Sequence, residues 1–205
     1  DSERYRSLNR RAARWFHLQG RPEPAIRHAL EARDPEILES VAERALQNLF
    51  RNSEFFALQK HVRDISPSLA RDRPYLSVFL AWALFHMGRE RDGVAHLDHA
   101  RSLALDAERE SSIPGKNGSI LAHEAFLRSI LLRLQGGIQD AQKLAREAFE
   151  SCRDNKPFLA ASLRSQMAIN QFLTGDLDAA SKELERSMEQ AESAEHHLAY
   201  FGSGY

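Results

Sequence analysis

The chain has 205 residues, a formal net charge of −1, 42% hydrophobic residues and 28% charged residues. The near neutrality excludes a global electrostatic attraction to nucleic acid or to an anionic membrane, and the longest apolar stretch, from Val78 to Phe85, is too short to cross a bilayer. A single cysteine, Cys152, excludes an internal disulfide framework and favours a cytoplasmic location. The chain starts without methionine and stops inside a helical pattern, so we expect a piece of a longer protein.

The first predicted helix ends at Gly20, because glycine is the usual left-handed residue after a helix. Its apolar pattern predicts that Leu8, Ala12, Trp15 and Phe16 are buried. Downstream, Pro35 and Pro74 fit only the first turns of further helices. No run of alternating β-branched residues favours a strand.

The predicted helices pair into hairpins along one domain, 1–205. Their expected ranges are 3–32, 35–65, 74–107, 119–151 and 157–194, followed by a further helix that starts at 195 and continues to 205. Residues 111–118 hold Pro114, Gly115 and Gly118 without periodicity and form the one clear loop. We interpret this loop as an insertion within the domain.

A repeated pattern of mostly small residues links the hairpins. It is centred on Gly20, Gly88, Gly136 and Gly175, with Ser53 at the glycine position of a degenerate unit. Gly20 and Gly88 lie two periods of about 34 residues apart, the period of the tetratricopeptide repeat. The position seven residues before each glycine holds Ala13, Ala81, Ser129 and Ala168 in turn. The position five residues after it holds Ala25, Gly93, Ala141 and Ala180, and the position nine after it holds Ala29, Leu97, Ala145 and Leu184. The position twelve after it holds Ala32, Ala100, Ala148 and Ser187. The pattern predicts an all-α, tetratricopeptide-like (TPR-like) helical-hairpin solenoid, a right-handed superhelix.

Four segments carry a narrower resemblance. They are RRAARWFHLQGRPEPAIRHALEARD (Arg10 to Asp34), RPYLSVFLAWALFHMGRERDGVAHLDHA (Arg73 to Ala100), QGGIQDAQKLAREAF (Gln135 to Phe149) and PFLAASLRSQMAINQFLTGDLDAASKELERSM (Pro157 to Met188). In order and spacing they resemble the MalT-like regulators, large ATP-binding transcription activators of the LuxR family. Three departures stand out: Gly93 occupies a position where the family usually has alanine, and Arg128 and Gln171 replace apolar residues.

The resemblance implies a sensor segment between an upstream ATPase module and a downstream helix-turn-helix. A small-molecule inducer or a regulatory protein would be its partner. Self-association of the parent protein is compatible with this role. The chain itself contains no G-x-x-x-x-G-K-[ST] phosphate loop and no helix-turn-helix. We therefore expect no cofactor in this segment, ATP only in the upstream module, and no direct contact with nucleic acid or membrane.

Nothing in the sequence favours catalysis, and we expect no enzyme activity. Cys152 has no assigned histidine partner, and His96 and His99 have metal-ligand spacing but no third ligand. We therefore assign no catalytic and no metal residues. The basic cluster between Arg4 and Arg14 is interpreted as an exposed helix face or a contact surface for an upstream module.

The inner curve of the solenoid is the expected ligand-binding surface. Positions three, six and ten residues before the glycines, with their helical neighbours, give the predicted binding residues Trp82, Phe85, Phe126, Arg133, Gln166, Asn170 and Phe172. Aromatic faces beside an arginine and amides suit a sugar or an aromatic metabolite, and equally an extended peptide.

Two structural alternatives stay open for these residues. The aromatic rings can be core between helices, and Arg133 can extend along its helix to water. The corresponding functional alternative is a generic TPR protein-interaction scaffold without a metabolite ligand.

Overall fold

The computed structural model describes residues 2–48, 61–110, 118–153 and 157–193. Every regular element within these ranges is helical. The elements are α1 (Ser2–Leu18), α2 (Pro22–Ala32), α3 (Pro35–Asn48), a 3-10 turn (Val62–Asp64), α4 (Pro67–Ala70), α5 (Pro74–His86), α6 (Glu90–Glu110), α7 (Gly118–Leu134), α8 (Ile138–Cys152), α9 (Pro157–Leu173) and α10 (Leu177–Ser193). The degenerate unit at Ser53, residues 111–117 of the predicted loop at 111–118, and the predicted helix at 195–205 lie outside the described residues. Gly118, the last residue predicted for that loop, is instead the first residue of α7.

The chain divides into two compact units, Asp1–Leu103 and Ala104–Tyr205, with the boundary inside α6. In the first unit α1 packs on α2, α2 on α3, and α3 on α5. In the second unit α7 packs on α8 and α9, and α9 also packs on α8 and α10. Each unit is thus built from neighbouring helix pairs, as the repeat pattern predicted. The prediction of one domain over 1–205 stays a prediction.

Each glycine of the repeat ends a helix in the same way. Gly20, Gly88, Gly136 and Gly175 all have positive φ, between +67° and +86°. Each glycine N–H donates to the carbonyl three residues earlier, and the next N–H donates to the carbonyl five residues earlier, for example Gly137 N to Leu132 O at 2.8 Å. These two hydrogen bonds satisfy the last carbonyls of the helix, and a side chain at the glycine position would strain the left-handed backbone. The predicted helix ends are confirmed.

The small residues of the repeat lie where helices cross. Of the sixteen positions, all but Leu184 are buried. Ser187 is buried too and donates its Oγ–H to the carbonyl of Ala161 at 2.8 Å, so a hydroxyl replaces a methyl group there without an unsatisfied bond. Ala81 and Ala100 are fully buried, as the register of the pattern predicts.

Gly93 has a local packing reason. A Cβ placed on it would lie 2.6 Å from Cδ2 of Phe85 and 3.3 Å from the carbonyl oxygen of Ala81. The Phe85 ring therefore occupies the space that alanine would need. The departure from the family pattern at position 93 is explained by the large side chain at position 85.

Two carboxylates fix the starts of helices. Asp34 Oδ1 accepts from the N–H groups of Glu36 and Ile37, both at 3.1 Å, and so caps α3. Glu39 on α3 accepts from the N–H groups of Tyr75 and Leu76 at 2.9 and 2.8 Å, and so caps α5 from a neighbouring helix. Burial raises the pKa of Glu39, although these two N–H groups act to lower it.

The predicted burial on α1 is partly wrong. Leu8 and Trp15 are each 54% exposed, whereas Ala12 and Phe16 are half-buried and Ala13 is buried. The helix turns Ala13 toward α2 and leaves its opposite side largely exposed. The apolar pattern of α1 therefore marks two faces, of which α2 covers one.

Candidate functional site

A polar cluster lies between α7 and α9 in the second unit. Arg133, near the end of α7, donates from Nη1 to Gln166 Oε1 at 2.5 Å and to Asn170 Oδ1 at 3.2 Å. Gln166 and Asn170 share a face of α9 because they are four residues apart. The structure thus brings three of the seven predicted binding residues together. We call them the arginine–amide cluster.

The cluster holds a positive charge in a partly dehydrated place. Arg133 is half-buried, Gln166 is 9% exposed and Asn170 is 1% exposed. Burial lowers the pKa of the Arg133 guanidinium, and no carboxylate contributes to that shift. Among the described residues the partners of this guanidinium are two neutral amide oxygens. Arg133 therefore turns toward α9 and does not simply extend along its helix to water.

The arginine–amide cluster also contains a buried donor. Asn170 Nδ2 is buried and has no hydrogen-bond partner in the described part of the chain. A buried amide N–H without an acceptor costs free energy, so such a group in a native structure calls for an explanation. The cluster combines this donor with a cation.

The aromatic residues of the predicted site have surroundings of their own. Trp82 and Phe126 are buried in the first and second unit respectively, so their rings offer little surface to a ligand. Trp82 stacks on His86 with ring centroids 5.9 Å apart, and desolvation lowers the pKa of His86. For Trp82 and Phe126 the structure agrees with the alternative that they form core.

Phe85 and Phe172 have other surroundings. The Phe85 ring packs over Gly93, within the first unit. Phe172 is 62% exposed but lies two residues past Asn170, about 200° further around the helix axis. Phe172 therefore faces away from the side of α9 that meets Arg133. Trp82 and Phe85 belong to the first unit and the other five residues to the second, so one binding surface formed by all seven residues stays a prediction.

The other candidates from the sequence have ordinary structural partners. His99 Nε2 lies 2.5 Å from the carbonyl oxygen of Arg71, and desolvation lowers the pKa of His96. No group of three metal-ligating side chains occurs within the described ranges. Cys152 is buried, as expected for a structural thiol. Arg128 forms an ion pair with the fully buried Glu124 one turn earlier. This pair accounts for an arginine at a position where the MalT-like regulators have an apolar residue.

Sequence reasoning missed an exposed stripe on α1. The stripe consists of Arg4, Leu8, Arg11, Trp15 and Leu18, and all five side chains are exposed. Their spacing of four and three residues places them on one face of the helix. The same spacing is visible in the sequence and could have indicated this face. We call it the α1 stripe.

The repeat shows what covers such a face elsewhere. Leu8, Arg11 and Trp15 stand twelve, nine and five residues before Gly20. The equivalent residues of α9 are Leu163, Gln166 and Asn170, and those of α5 are Leu76, Phe79 and Ala83; all six are buried. The α9 set includes the residues that Arg133 of α7 contacts, and α5 packs against α3. The α1 stripe thus holds at Leu8, Arg11 and Trp15 the repeat positions that are buried in α5 and α9, and these three residues are exposed.

Comparison with known proteins gives two findings. The chain is 26% identical over 197 residues to the HTH-type transcriptional regulator MalT of Serratia proteamaculans (strain 568), a match that covers 94% of this chain. The chain spans about one fifth (20%) of the length of that relative. No family model matches the chain.

A solved structure supports the architecture. The crystal structure of MamA protein superposes with a TM-score of 0.52 at 16% identity, covering 95% of this chain and 96% of that chain. No helix in the described residues is long and apolar enough to span a membrane. The chain therefore has an all-α, TPR-like helical-repeat fold, and it has a distant similarity to MalT.

Proposed function

We propose that this chain is the effector-sensing repeat segment of a MalT-like regulator of the LuxR family. In this role it binds a small inducer or a regulatory protein and performs no chemistry itself. The similarity to MalT, which covers nearly the whole chain, supports the choice of regulator. The arginine–amide cluster supports the choice of a ligand-binding role.

The observation that carries the proposal is the position of this cluster between two helix hairpins. Arg133 belongs to the α7–α8 hairpin, and Gln166 and Asn170 belong to the α9–α10 hairpin. A ligand that contacts both hairpins favours one arrangement of the pair by its differential affinity for the two arrangements. An upstream ATPase module would respond to that change.

The test is a screen of small metabolites against the full chain by ligand-detected NMR. A true effector should bind the wild type and lose most of its affinity for Arg133→Gln, which removes the charge but keeps an N–H donor. The matched control is Arg146→Gln, which changes an exposed arginine on α8. Equal loss of effector affinity in both variants, or no loss of affinity in either, would contradict the assignment of the site.

The proposal also states what the chain does not do. It should neither hydrolyse ATP nor bind operator DNA, because it lacks both sequence motifs. Sequence-selective DNA binding that weakens with salt would contradict this and would direct attention to the arginines of α1.

A protein-interaction scaffold is the second candidate, and the α1 stripe favours it. Leu8 and Trp15 are exposed beside several arginines, and no ion pair of Arg4, Arg11 or Arg14 occurs in the described part of the chain. Such a surface fits an amphipathic helix whose apolar ridge is flanked by carboxylates.

Two helical peptides that differ only in charge would test the scaffold function. Both carry the same apolar ridge, one with flanking glutamates and one with flanking lysines. Binding is followed by the fluorescence of Trp15 in a Trp82→Phe background. The acidic peptide should bind more tightly, and Arg11→Glu should reverse the preference. Equal binding of both peptides would exclude a charge-selective surface.

A further inference from the structure

We infer that the arginine–amide cluster is an oxyanion site, so that the effector carries a carboxylate or a phosphate group. This inference rests on the proposed function and narrows the chemistry of its ligand. It starts from the arginine, whose only partners among the described residues are neutral amides.

The charge of Arg133 has no counter-charge among its described partners. Removing a guanidinium from water is costly unless an anion or several hydrogen bonds compensate it. Only Nη1 of Arg133 is engaged in the described part of the chain, and it contacts two oxygens that carry no formal charge. The Nε–H and Nη2–H donors form the planar fork that matches a carboxylate or a phosphate.

The orientation of the Arg133 guanidinium is set by its two amide partners. Gln166 and Asn170 both direct oxygens at Nη1, so they hold the guanidinium in place without neutralising it. The unsatisfied Asn170 Nδ2 lies on the same amide group and supplies another donor. A preorganised cation with a neighbouring donor is the chemistry that recognises an anionic oxygen.

An exposed leucine near the cluster offers a surface for the rest of the ligand. Leu173 lies one turn past Asn170 on the same face of α9 and is 52% exposed. An apolar group attached to the anion could cover this leucine. The site therefore favours an amphiphilic acid over an inorganic ion.

The experiment is isothermal titration calorimetry of the full chain with acetate, hexanoate, hexanamide and inorganic phosphate. Hexanoate and hexanamide differ mainly in charge, so hexanoate should bind about tenfold or more tightly than hexanamide. Acetate should bind more weakly than hexanoate because it cannot cover Leu173. Binding of phosphate without binding of acetate identifies phosphate as the preferred oxyanion, and the reverse identifies carboxylate.

Two variants test the site itself. Arg133→Gln removes the cation, and Gln166→Glu places a carboxylate at the 2.5 Å contact, so that the protein supplies its own anion. Each should lower hexanoate affinity about tenfold or more, and Gln166→Glu should do so without lowering the melting temperature. Arg146→Gln should bind hexanoate as the wild type does.

Three results would overturn the inference. They are unchanged hexanoate binding by Gln166→Glu, equal affinities for hexanoate and hexanamide, and no saturable binding of hexanoate or phosphate at millimolar concentrations. The second result would leave the proposed function intact if Arg133→Gln still weakened both ligands. The failure of the oxyanion site is thereby distinguished from the failure of the binding role.

Discussion

Gly93→Ala tests whether Phe85 determines the residue at the crossing of α5 and α6. Alanine at an interior helix position is favoured over glycine by about 1 kcal/mol. The new Cβ, however, would lie 2.6 Å from Cδ2 and 2.7 Å from Cε2 of Phe85. Two opposing effects therefore act at one residue, and their sizes can be compared.

The steric effect should prevail. Carbon atoms attract each other best at about 3.5–4.0 Å, so the Phe85 ring must move by roughly 1 Å. Overpacking of this kind typically costs about 1–3 kcal/mol. The Ala81 carbonyl at 3.3 Å limits how far the backbone can yield. The expected net change is a loss of about 0–2 kcal/mol in the free energy of unfolding.

A double-mutant cycle with Phe85→Ala measures the two effects separately. Urea unfolding followed by circular dichroism gives the free energy of unfolding of each variant. In the Phe85→Ala background the steric cost is gone, so Gly93→Ala should stabilise by about 1 kcal/mol. Gly118→Ala is the control, because a Cβ there meets no atom within 4 Å.

The cycle can refute the packing argument. The two substitutions should couple by about 1–3 kcal/mol, the steric cost that Phe85→Ala removes, and this lies within the range of about 0.5–3 kcal/mol found for residues in contact. If Gly93→Ala stabilises the wild type as much as it stabilises the Phe85→Ala variant, Phe85 does not select glycine at position 93.

Three further predictions concern stability. Asp34→Ala should lower the free energy of unfolding by about 1–2 kcal/mol through loss of the α3 cap, whereas Asp34→Asn keeps the accepting oxygen and should cost less; equal losses would contradict the capping role. Burial acts to raise the pKa of Asp34, but hydrogen bonds from Ile37, Arg10 and Glu36 lower it overall, so its contribution should be lost only as the pH falls below 3.8 and through the folded-state value. Ala100→Leu at the fully buried crossing should destabilise by about 1–3 kcal/mol, while Ala107→Leu on the exposed side of α6 should leave the melting temperature nearly unchanged; equal effects would show that the repeat register is wrong. Desolvation lowers the pKa of His17, His28, His86 and His96 below 6.5, so the unfolded chain binds more protons and the melting temperature should fall as the pH drops through and below 6.5; a constant melting temperature over that range would contradict these shifts.

Features with a local cause could be predicted from the sequence. The four terminating glycines follow from the backbone conformation that ends a helix, and the small residues follow from the close approach of two helices. Asp34 before Pro35 is likewise a local capping signal. These features define the repeat, and the structure confirms them.

Features that depend on contacts with residues distant in the chain could not be predicted from the sequence. Glu39 caps α5 by accepting from the N–H groups of Tyr75 and Leu76, which lie 36 and 37 residues later in the chain. No local sequence pattern indicates this contact. The exposure of Trp15 depends on what covers α1, and its sequence pattern is the same in either case. Trp82 and Phe126 resemble ligand-binding aromatics in sequence, but neighbouring helices bury them.

The candidate site falls between these cases. The inner-curve positions included Arg133, and the helical neighbours of the inner-curve positions on α9 added Gln166 and Asn170. The sequence could not show that both amide oxygens contact the same guanidinium nitrogen, because that depends on how two hairpins pack. The residues of the cluster were predictable, and its charge balance was not.

The side-chain signals of the arginine–amide cluster test the central claim most directly. Nitrogen-15 NMR of the full chain resolves the Nε–H of Arg133 and the amide groups of Gln166 and Asn170, each of which can be followed during titration with a ligand from the metabolite screen. If this chain senses an effector through the cluster, these three side chains should show the largest shifts, and Arg133→Gln should abolish the shifts at Gln166 and Asn170. Unchanged cluster signals at saturation, with shifts confined to Trp15 and the rest of the α1 stripe, would contradict the effector site and favour the scaffold.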